Sequence, residues 1–398
     1  MGRFSKTLRY YGRHVWDSFR KGDMVLLLLC LVLTAFGCLM IASATNAVGF
    51  TRYVIVQIVA ALLGVGMYAV ISSIDAELFS EHRSKLVVFN VILLLMLLPF
   101  GTDNDTGNRS WLDIPLVPVD IQPAEICKIT LILILASVMN SHQNKPSAPF
   151  SVVHSAAHMM VLVGLNMAMS RDLGVSLIFV FVFVGMALAG GISFFWFLLA
   201  IGALVLSFPV WWQMLGSYQQ NRILILFDDS IDPLGIKERY HSLRAIKSLT
   251  GGGLTGQGLF QGTRTQTEGA LFAQHTDFIF AAMGEELGLV GCVLVLIMLV
   301  LIIARCIWVG TRSPDYMRKL ICFGAASALI FQVCINVGMC LGVAPVIGLT
   351  LPFVSYGGSS LVTLYMTVGL VSGVYARPTA TSQQRYIRPP HIYGKGVF

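Results

Sequence analysis

A single carboxylate, Asp277, stands where a long polar loop meets an apolar segment running from Phe278 to Ile303, within Gln274-His275-Thr276-Asp277-Phe278-Ile279-Phe280. An ionisable group at the mouth of a membrane span is costly to place, so Asp277 is a functional-site candidate by default. An outward carboxylate of this kind can serve as a general base. A second cluster precedes another apolar segment, in Asp120-Ile121-Gln122-Pro123-Ala124-Glu125-Ile126-Cys127-Lys128. Pro123 suits the first position of a helix, and Glu125 in the first turn complements the helix dipole. Lys128, three residues on, falls beside Glu125 on the helix surface. An ammonium at that depth needs a partner. The two side chains either form an ion pair that satisfies both charges or line a polar cavity opening toward Asp277.

Further ionisable groups occur at Arg171 and Asp172, in a short outer turn, and at Glu285 and Glu286, inside the segment that follows Asp277. A buried carboxylate must be paired or protonated, and a structural role suits both glutamates. In the loop before Asp277, the apolar residues Leu243, Ile246 and Leu249 recur every three positions between Tyr240 and Thr250, with Arg244 and Lys247 off that stripe. The pattern predicts a short helix in the membrane interface, ended by Gly251-Gly252-Gly253. Gly256, Gly258 and Gly262 permit close backbone approach to another surface or a ligand. Arg239, Arg244, Lys247 and Arg264 either meet a diphosphate at the bilayer surface through charge-assisted hydrogen bonds or form a solvated basic loop near lipid heads. Trp111, in Gly107-Asn108-Arg109-Ser110-Trp111-Leu112, reads as an interfacial anchor.

The elements that must position these residues are membrane helices. A chain of 398 residues that is 56% hydrophobic and 12% charged lies outside soluble composition. A span needs about 20 mostly apolar residues, and ten segments qualify: 24–44, 53–71, 86–100, 123–139, 151–169, 173–189, 192–212, 278–303, 320–343 and 354–375. Counted with the N-terminus inside, the short outer loops hold just Arg52, Arg109 and Arg171, while the inner segments hold most of the 27 Lys and Arg. Cytoplasmic loops carry that excess. The expected fold is an all-α polytopic membrane protein of ten transmembrane helices, both termini cytoplasmic, with one long extracellular loop (about 213–277) between helices seven and eight. Residues 1–23 form a basic cytoplasmic N-terminus, 24–375 the membrane domain, and 376–398 a cytoplasmic tail containing Pro378, Pro389 and Pro390.

The formal charge of +7 reflects the inner basic rim, where Arg3, Lys6, Arg9, Arg13, Arg20 and Lys21 suit anionic lipid heads. No nucleic-acid binding is implied. The eight cysteines (30, 38, 127, 292, 306, 322, 334 and 340) sit in or beside apolar segments without a Cys-x-x-Cys pair and read as packing residues.

Four stretches carry a family resemblance: Gln274 to Gly288, Gln122-Pro123-Ala124-Glu125 with Lys128, Asp232-Pro233-Leu234-Gly235, and Leu351-Pro352-Phe353-Val354-Ser355-Tyr356-Gly357-Gly358-Ser359-Ser360. Together, in order and with ten spans, they resemble the SEDS (shape, elongation, division and sporulation) proteins, the RodA, FtsW and SpoVE group, over nearly the whole chain. The resemblance implies peptidoglycan glycosyltransferase activity on lipid II at the outer face of the bacterial cytoplasmic membrane, an inverting polymerisation that releases undecaprenyl diphosphate. It implies service in elongation, division or sporulation, and partnership with a class B penicillin-binding protein transpeptidase.

The family's essential aspartate falls on Asp277, its outer-loop tryptophan on Trp111, and its acidic and basic residues after the Gln-Pro motif on Glu125 and Lys128. Arg171, Arg244, Lys247, Arg264 and His275 join them as residues expected to bind substrate or shape the cavity. A divalent cation such as Mg2+ on the diphosphate is the expected cofactor. The family more often has Leu-Pro-Glu before His-Thr-Asp and Gln-Pro-Ser-Glu in the earlier motif. This chain has Leu271-Phe272-Ala273-Gln274 and Gln122-Pro123-Ala124-Glu125, and the missing glutamate near Gln274 weakens any scheme that uses it as a second carboxylate or metal ligand. Two other readings stand beside the polymerase: a lipid II flippase, and a non-catalytic scaffold for a transpeptidase.

Overall fold

The computed structural model describes residues 12, 15–102, 109–112, 121–214, 216–228, 232 and 239–377. Arg3, Lys6, Arg9, Arg13, Asp120, the Pro233-Leu234-Gly235 turn and the tail from Pro378 onward lie outside the described residues. Each predicted apolar segment forms a helix: α1 (Met24–Ala44), α2 (Thr51–Ser73), α3 (Arg83–Leu95, continued by Leu97–Phe100), α4 (Pro123–Ser141), α5 (Pro149–Met169), α6 (Leu173–Ala189) and α7 (Phe194–Met214). The loop helix α8 (Tyr240–Gly252) is followed by α9 (Ile279–Arg312), α10 (Tyr316–Cys340) and α11 (Gly358–Ala376). Among the described residues, 8 helices are long and apolar enough to cross a membrane, while α6 and the Phe194–Val210 part of α7 are shorter apolar stretches.

The helices begin where the chain supplies caps. Asp23, Asp172 and Asp315 each accept a hydrogen bond from a backbone N–H in the first turn of α1, α6 and α10, which satisfies donors that have no partner inside the helix. Pro123 and Pro149 occupy the first position of α4 and α5, as φ near −65° allows. Helix α4 is the buried axis of the fold, with all but three of its residues out of contact with solvent or lipid. One core joins α1, α9 and α11; a second joins α4, α5 and α6; α10 contributes to both. The eight cysteines are all free, and most are buried among these helices.

Helix α9 is broken at Gly288, whose φ of 66° and ψ of −166° interrupt the helical backbone. The carbonyls of Glu285 and Glu286 lose their intrahelical donors there, and the N–H groups of Leu289 and Val290 lose their acceptors. The loop after α8 supplies all four replacements. Gln257 and Gly258 donate to the carbonyls of Glu285 and Glu286, both at 2.9 Å, while Leu289 and Val290 donate to the carbonyls of Gly253 and Leu254. Both glutamate side chains hold the same loop. Glu285 accepts from Thr263 Oγ1, Thr265 Oγ1 and the Arg264 N–H, and Glu286 from Ser43 Oγ, Gln266 Nε2 and the Phe260 N–H. Their structural role is as expected.

One expectation about the loop is corrected. Helix α8 forms over the predicted residues, but its stripe faces protein: Leu249 packs at Gly284, Ile246 packs at Gly342, and Ala245 and Ser248 are buried. The lipid interface loses to the first turns of α9, which offer a closer apolar partner. The close approach permitted by Gly256 is to the backbone of α9, where a Cβ would lie 2.1 Å from the Glu286 carbonyl oxygen.

Because Gly256 also has a φ of +80°, Gly256→Ala is strained twice over and should cost on the order of 2 kcal/mol or more. The check is a lower melting temperature together with faster protease cleavage between residues 253 and 266. Unchanged melting and cleavage would mean that the loop is not held by the α9 break.

Candidate active site

Residues 273–278 form a tight turn onto α9, with Ala273 in the left-handed region at φ 47°. Three successive carbonyls of this turn are captured from outside it. Tyr356 N–H donates to His275 at 2.8 Å, Ser355 Oγ to Thr276 at 2.6 Å, and Asn336 Nδ2 to Asp277 at 2.8 Å. The Gln57 side chain of α2 holds the capturing segment in turn, donating to the Ser355 carbonyl and accepting from the Gly357 N–H. The His275 ring sits between Tyr53 and Tyr356, with centroids 5.0 and 5.6 Å away, and burial lowers its pKa.

The Asp277 carboxylate is half-buried, and among the described residues no side chain or N–H group is paired with it. Burial first, and the nearby charge of Asp172 second, push its pKa up to about 6. Asp172 caps α6 through Val175 N–H at 3.0 Å and receives Gln122 Nε2 at 3.0 Å. Burial raises its pKa as well; the charge of Glu125 adds to that rise, and Lys128 and the backbone donors oppose it. The electrostatic chain from Asp277 through Asp172 thus reaches the α4 cluster. There Lys128 Nζ meets Glu125 Oε2 at 2.7 Å, and Thr363 Oγ1 donates to the same oxygen at 2.7 Å. The Gln122 N–H donates to Ser359 Oγ, tying the start of α4 to the start of α11.

The expected side chains divide into two sets. Asp277, His275, Glu125 and Lys128 belong to this connected region, and Arg171 borders it, exposed and held at a φ of 55° immediately before Asp172. Arg244 and Arg264 are instead engaged with the loop's own backbone. Arg244 donates to the carbonyls of Gly269 and Ala270 and stacks on Tyr240, and Arg264 donates to the Lys247 carbonyl. Lys247 points outward and is exposed. Trp111 pairs with Thr102 in a two-stranded antiparallel ribbon, and its neighbour Leu112 bridges to Ile121 at the approach to α4. Sequence reasoning passed over Gln122, Asn336, Ser355 and Thr363 as site residues. The signal for Asn336 was available: an amide inside an apolar span is expensive and calls for a partner.

Glu125 and Lys128 are 4% and 3% exposed, so removing either partner strands a buried charge. Lys128→Met should lose about 3–5 kcal/mol of stability, and the double variant Glu125→Gln/Lys128→Met should recover more than half of it. Chemical denaturation in detergent measures both. Additive losses would show that the two charges do not act as a pair.

Comparison with known proteins identifies the family. The FTSW_RODA_SPOVE family model, described as "Cell cycle protein", matches residues 23–379. The peptidoglycan glycosyltransferase MrdB of Escherichia coli is 32% identical over 364 residues, covering 90% of this chain and 95% of the relative. The probable peptidoglycan glycosyltransferase FtsW of Thiomicrospira cyclica is 33% identical over 368 residues, covering 88% and 90%. A solved chain from a peptidoglycan synthase complex that coordinates polymerization and crosslinking superposes with a TM-score of 0.75 at 29% identity, covering 89% of this chain and 97% of that one. The Thermus thermophilus rod shape determining protein RodA gives 0.65 at 26% identity, covering 89% and 96%. A multi-pass helical membrane protein with the RodA fold and the family's motifs in order, this chain belongs to the FtsW, RodA and SpoVE family.

Proposed function

We propose that this chain is a peptidoglycan glycosyltransferase that polymerises lipid II at the outer face of the bacterial cytoplasmic membrane, with Asp277 as its general base. The observation that carries the reading is the Asp277 carboxylate itself, half-buried, unpaired among the described residues, and with a pKa raised to about 6. Such a base is still ionised near neutral pH and is stronger than an ordinary aspartate. The relatives' activity and the shared fold support the same reaction.

In the reaction, the 4-hydroxyl of the acceptor sugar gives its proton to Asp277 as its oxygen attacks the anomeric carbon of the donor. The bond to the diphosphate breaks with inversion, and undecaprenyl diphosphate leaves with the bonding electron pair. Arg171 and Lys247, both exposed, stabilise the charge that develops on the leaving group. Arg244 and Arg264 brace the loop that presents Lys247. Glu125, Lys128 and Asp172 form the polar wall of the cavity, His275 and its tyrosines form the opposite side, and Trp111 anchors the rim.

A divalent cation such as Mg2+ fits only in the company of substrate. Among the described residues no three His, Cys, Asp or Glu side chains converge on one point, whereas Mg2+ commonly uses one or two carboxylates together with substrate phosphates. Asp172 is already engaged by the start of α6 and by Gln122, so the ion would be held through the substrate diphosphate, where it would supply charge neutralisation.

The topology that serves this chemistry is ten spans, α1–α7 and α9–α11, with both termini cytoplasmic and residues 213–277 outside, which puts Asp277 on the side where Lys and Arg are scarce. The partner is a class B penicillin-binding protein, since glycan strands need cross-linking and the synthase complex that the chain resembles couples polymerization with crosslinking.

Reconstitution with lipid II, with and without that partner, tests the reading. Native protein should yield glycan polymer, with a clear rise on adding the partner that a β-lactam does not abolish. Asp277→Asn should lower the rate at least 100-fold, within the range a general base contributes, at unchanged melting temperature. Near-native polymer from Asp277→Asn would remove the base assignment. Lipid movement without polymer would favour the flippase.

A further inference from the structure

Asn336 lies in α10, fully buried, and its two hydrogen bonds both reach backbone outside its helix. One goes to the carbonyl of Asp277 at 2.8 Å and the other to that of Leu349 at 2.7 Å. Asn336 is the strong donor to the Asp277 carbonyl, beside a long contact from Cys340 Sγ at 4.0 Å. That carbonyl stands just before α9, and the N–H groups of Ala281 and Ala282 go to Phe278 instead. Leu349 belongs to the segment that crosses over the turn, and its neighbour Gly348 faces the functional group: a Cβ there would sit 3.7 Å from Asp277 Oδ2.

One amide therefore fixes both the backbone that carries the Asp277 carboxylate and the backbone that faces it. Its orientation cannot be reversed, because a flip would set the amide oxygen against two carbonyl oxygens. The Oδ1 atom has no hydrogen-bond partner, so the two donor bonds alone hold the group. Ser355 and Tyr356 fix the two preceding carbonyls, and the register of the whole turn is set from α10 and the segment that follows it.

We propose that Asn336 is a positioning residue for glycosyl transfer: by tying the carbonyl of Asp277 to that of Leu349, it aims the Asp277 carboxylate at the acceptor hydroxyl. The inference rests on the glycosyltransferase reading above. Asn336 touches no substrate in this account; it acts through Asp277. Loss of its donors should lower the rate of the chemical step and leave substrate affinity unchanged, because the cavity walls at Glu125, Lys128 and Asp172 are held by other bonds.

The test is steady-state polymerisation of lipid II by the full chain, with melting temperature measured in the same detergent, for the native protein, Asn336→Ala and Asn336→Asp. Asn336→Asp keeps the volume and replaces the donor with a second acceptor. Both variants should lose at least tenfold in kcat, keep KM within twofold, and melt well above the assay temperature. Should either fail to fold, Ser355→Ala, which frees the Thr276 carbonyl from the same clamp and the Leu351 N–H beside it, should show a smaller drop in kcat at constant KM. Native kcat in folded Asn336 variants, or in Ser355→Ala where those do not fold, would overturn the assignment, as would a loss confined to KM. Absence of polymer from the native protein is a different result: it would refute the glycosyltransferase reading on which the assignment stands.

Discussion

A peptide group in a bilayer has no water to turn to, so any break in a membrane helix must be answered by other protein groups. That constraint organises this molecule. The break at Gly288 frees two carbonyls and two N–H groups, and the loop after α8 fills all four positions while Glu285 and Glu286 grip it from the side. Once docked, the loop returns the chain to the top of α9, where the turn carrying Asp277 again leaves carbonyls exposed. Asn336, Ser355 and Tyr356 answer those. The site is therefore assembled by the same requirement that makes the fold stable.

The treatment of charge sets Asp277 apart. Glu125 has Lys128 and Thr363; Glu285 and Glu286 have hydroxyl, amide and backbone donors; Asp23 has Arg305. Each of these carboxylates is compensated as burial demands. Asp277 receives no such partner among the described residues, and the charge that adds to the effect of its burial is that of another acid, Asp172. A carboxylate kept basic in this way is costly for folding and useful for accepting a proton.

Much of this was legible in the sequence because it is local. Apolar run length marked the segments that became helices, Pro123 marked the start of α4, and a three-residue spacing paired Glu125 with Lys128. Asp277 was conspicuous by its position at the loop and span junction. What periodicity could not supply is the partner of a face: the stripe on α8 is equally compatible with lipid and with protein, and α9 took it. Charge counting likewise could not distinguish a guanidinium aimed at a ligand from one that braces its own loop, as Arg244 and Arg264 do. The Asn336 contact spans 59 residues of chain, and the exchange of hydrogen bonds at Gly288 joins segments whose residues carry no pattern pointing to each other.

The central claim is that Asp277 works as a base whose pKa is raised by burial and by Asp172. The pH dependence of kcat for lipid II polymerisation, compared between the native protein and Asp172→Asn, tests it most directly. Asn also caps helices well, so α6 should keep its start. Asp277 must be ionised to accept a proton, so native activity should fall as the pH drops through about 6. Removing the neighbouring negative charge makes ionisation of Asp277 easier, and the acid limb of Asp172→Asn should move to lower pH. An acid limb that stays in place in Asp172→Asn, or a native profile flat through pH 6, would contradict the account.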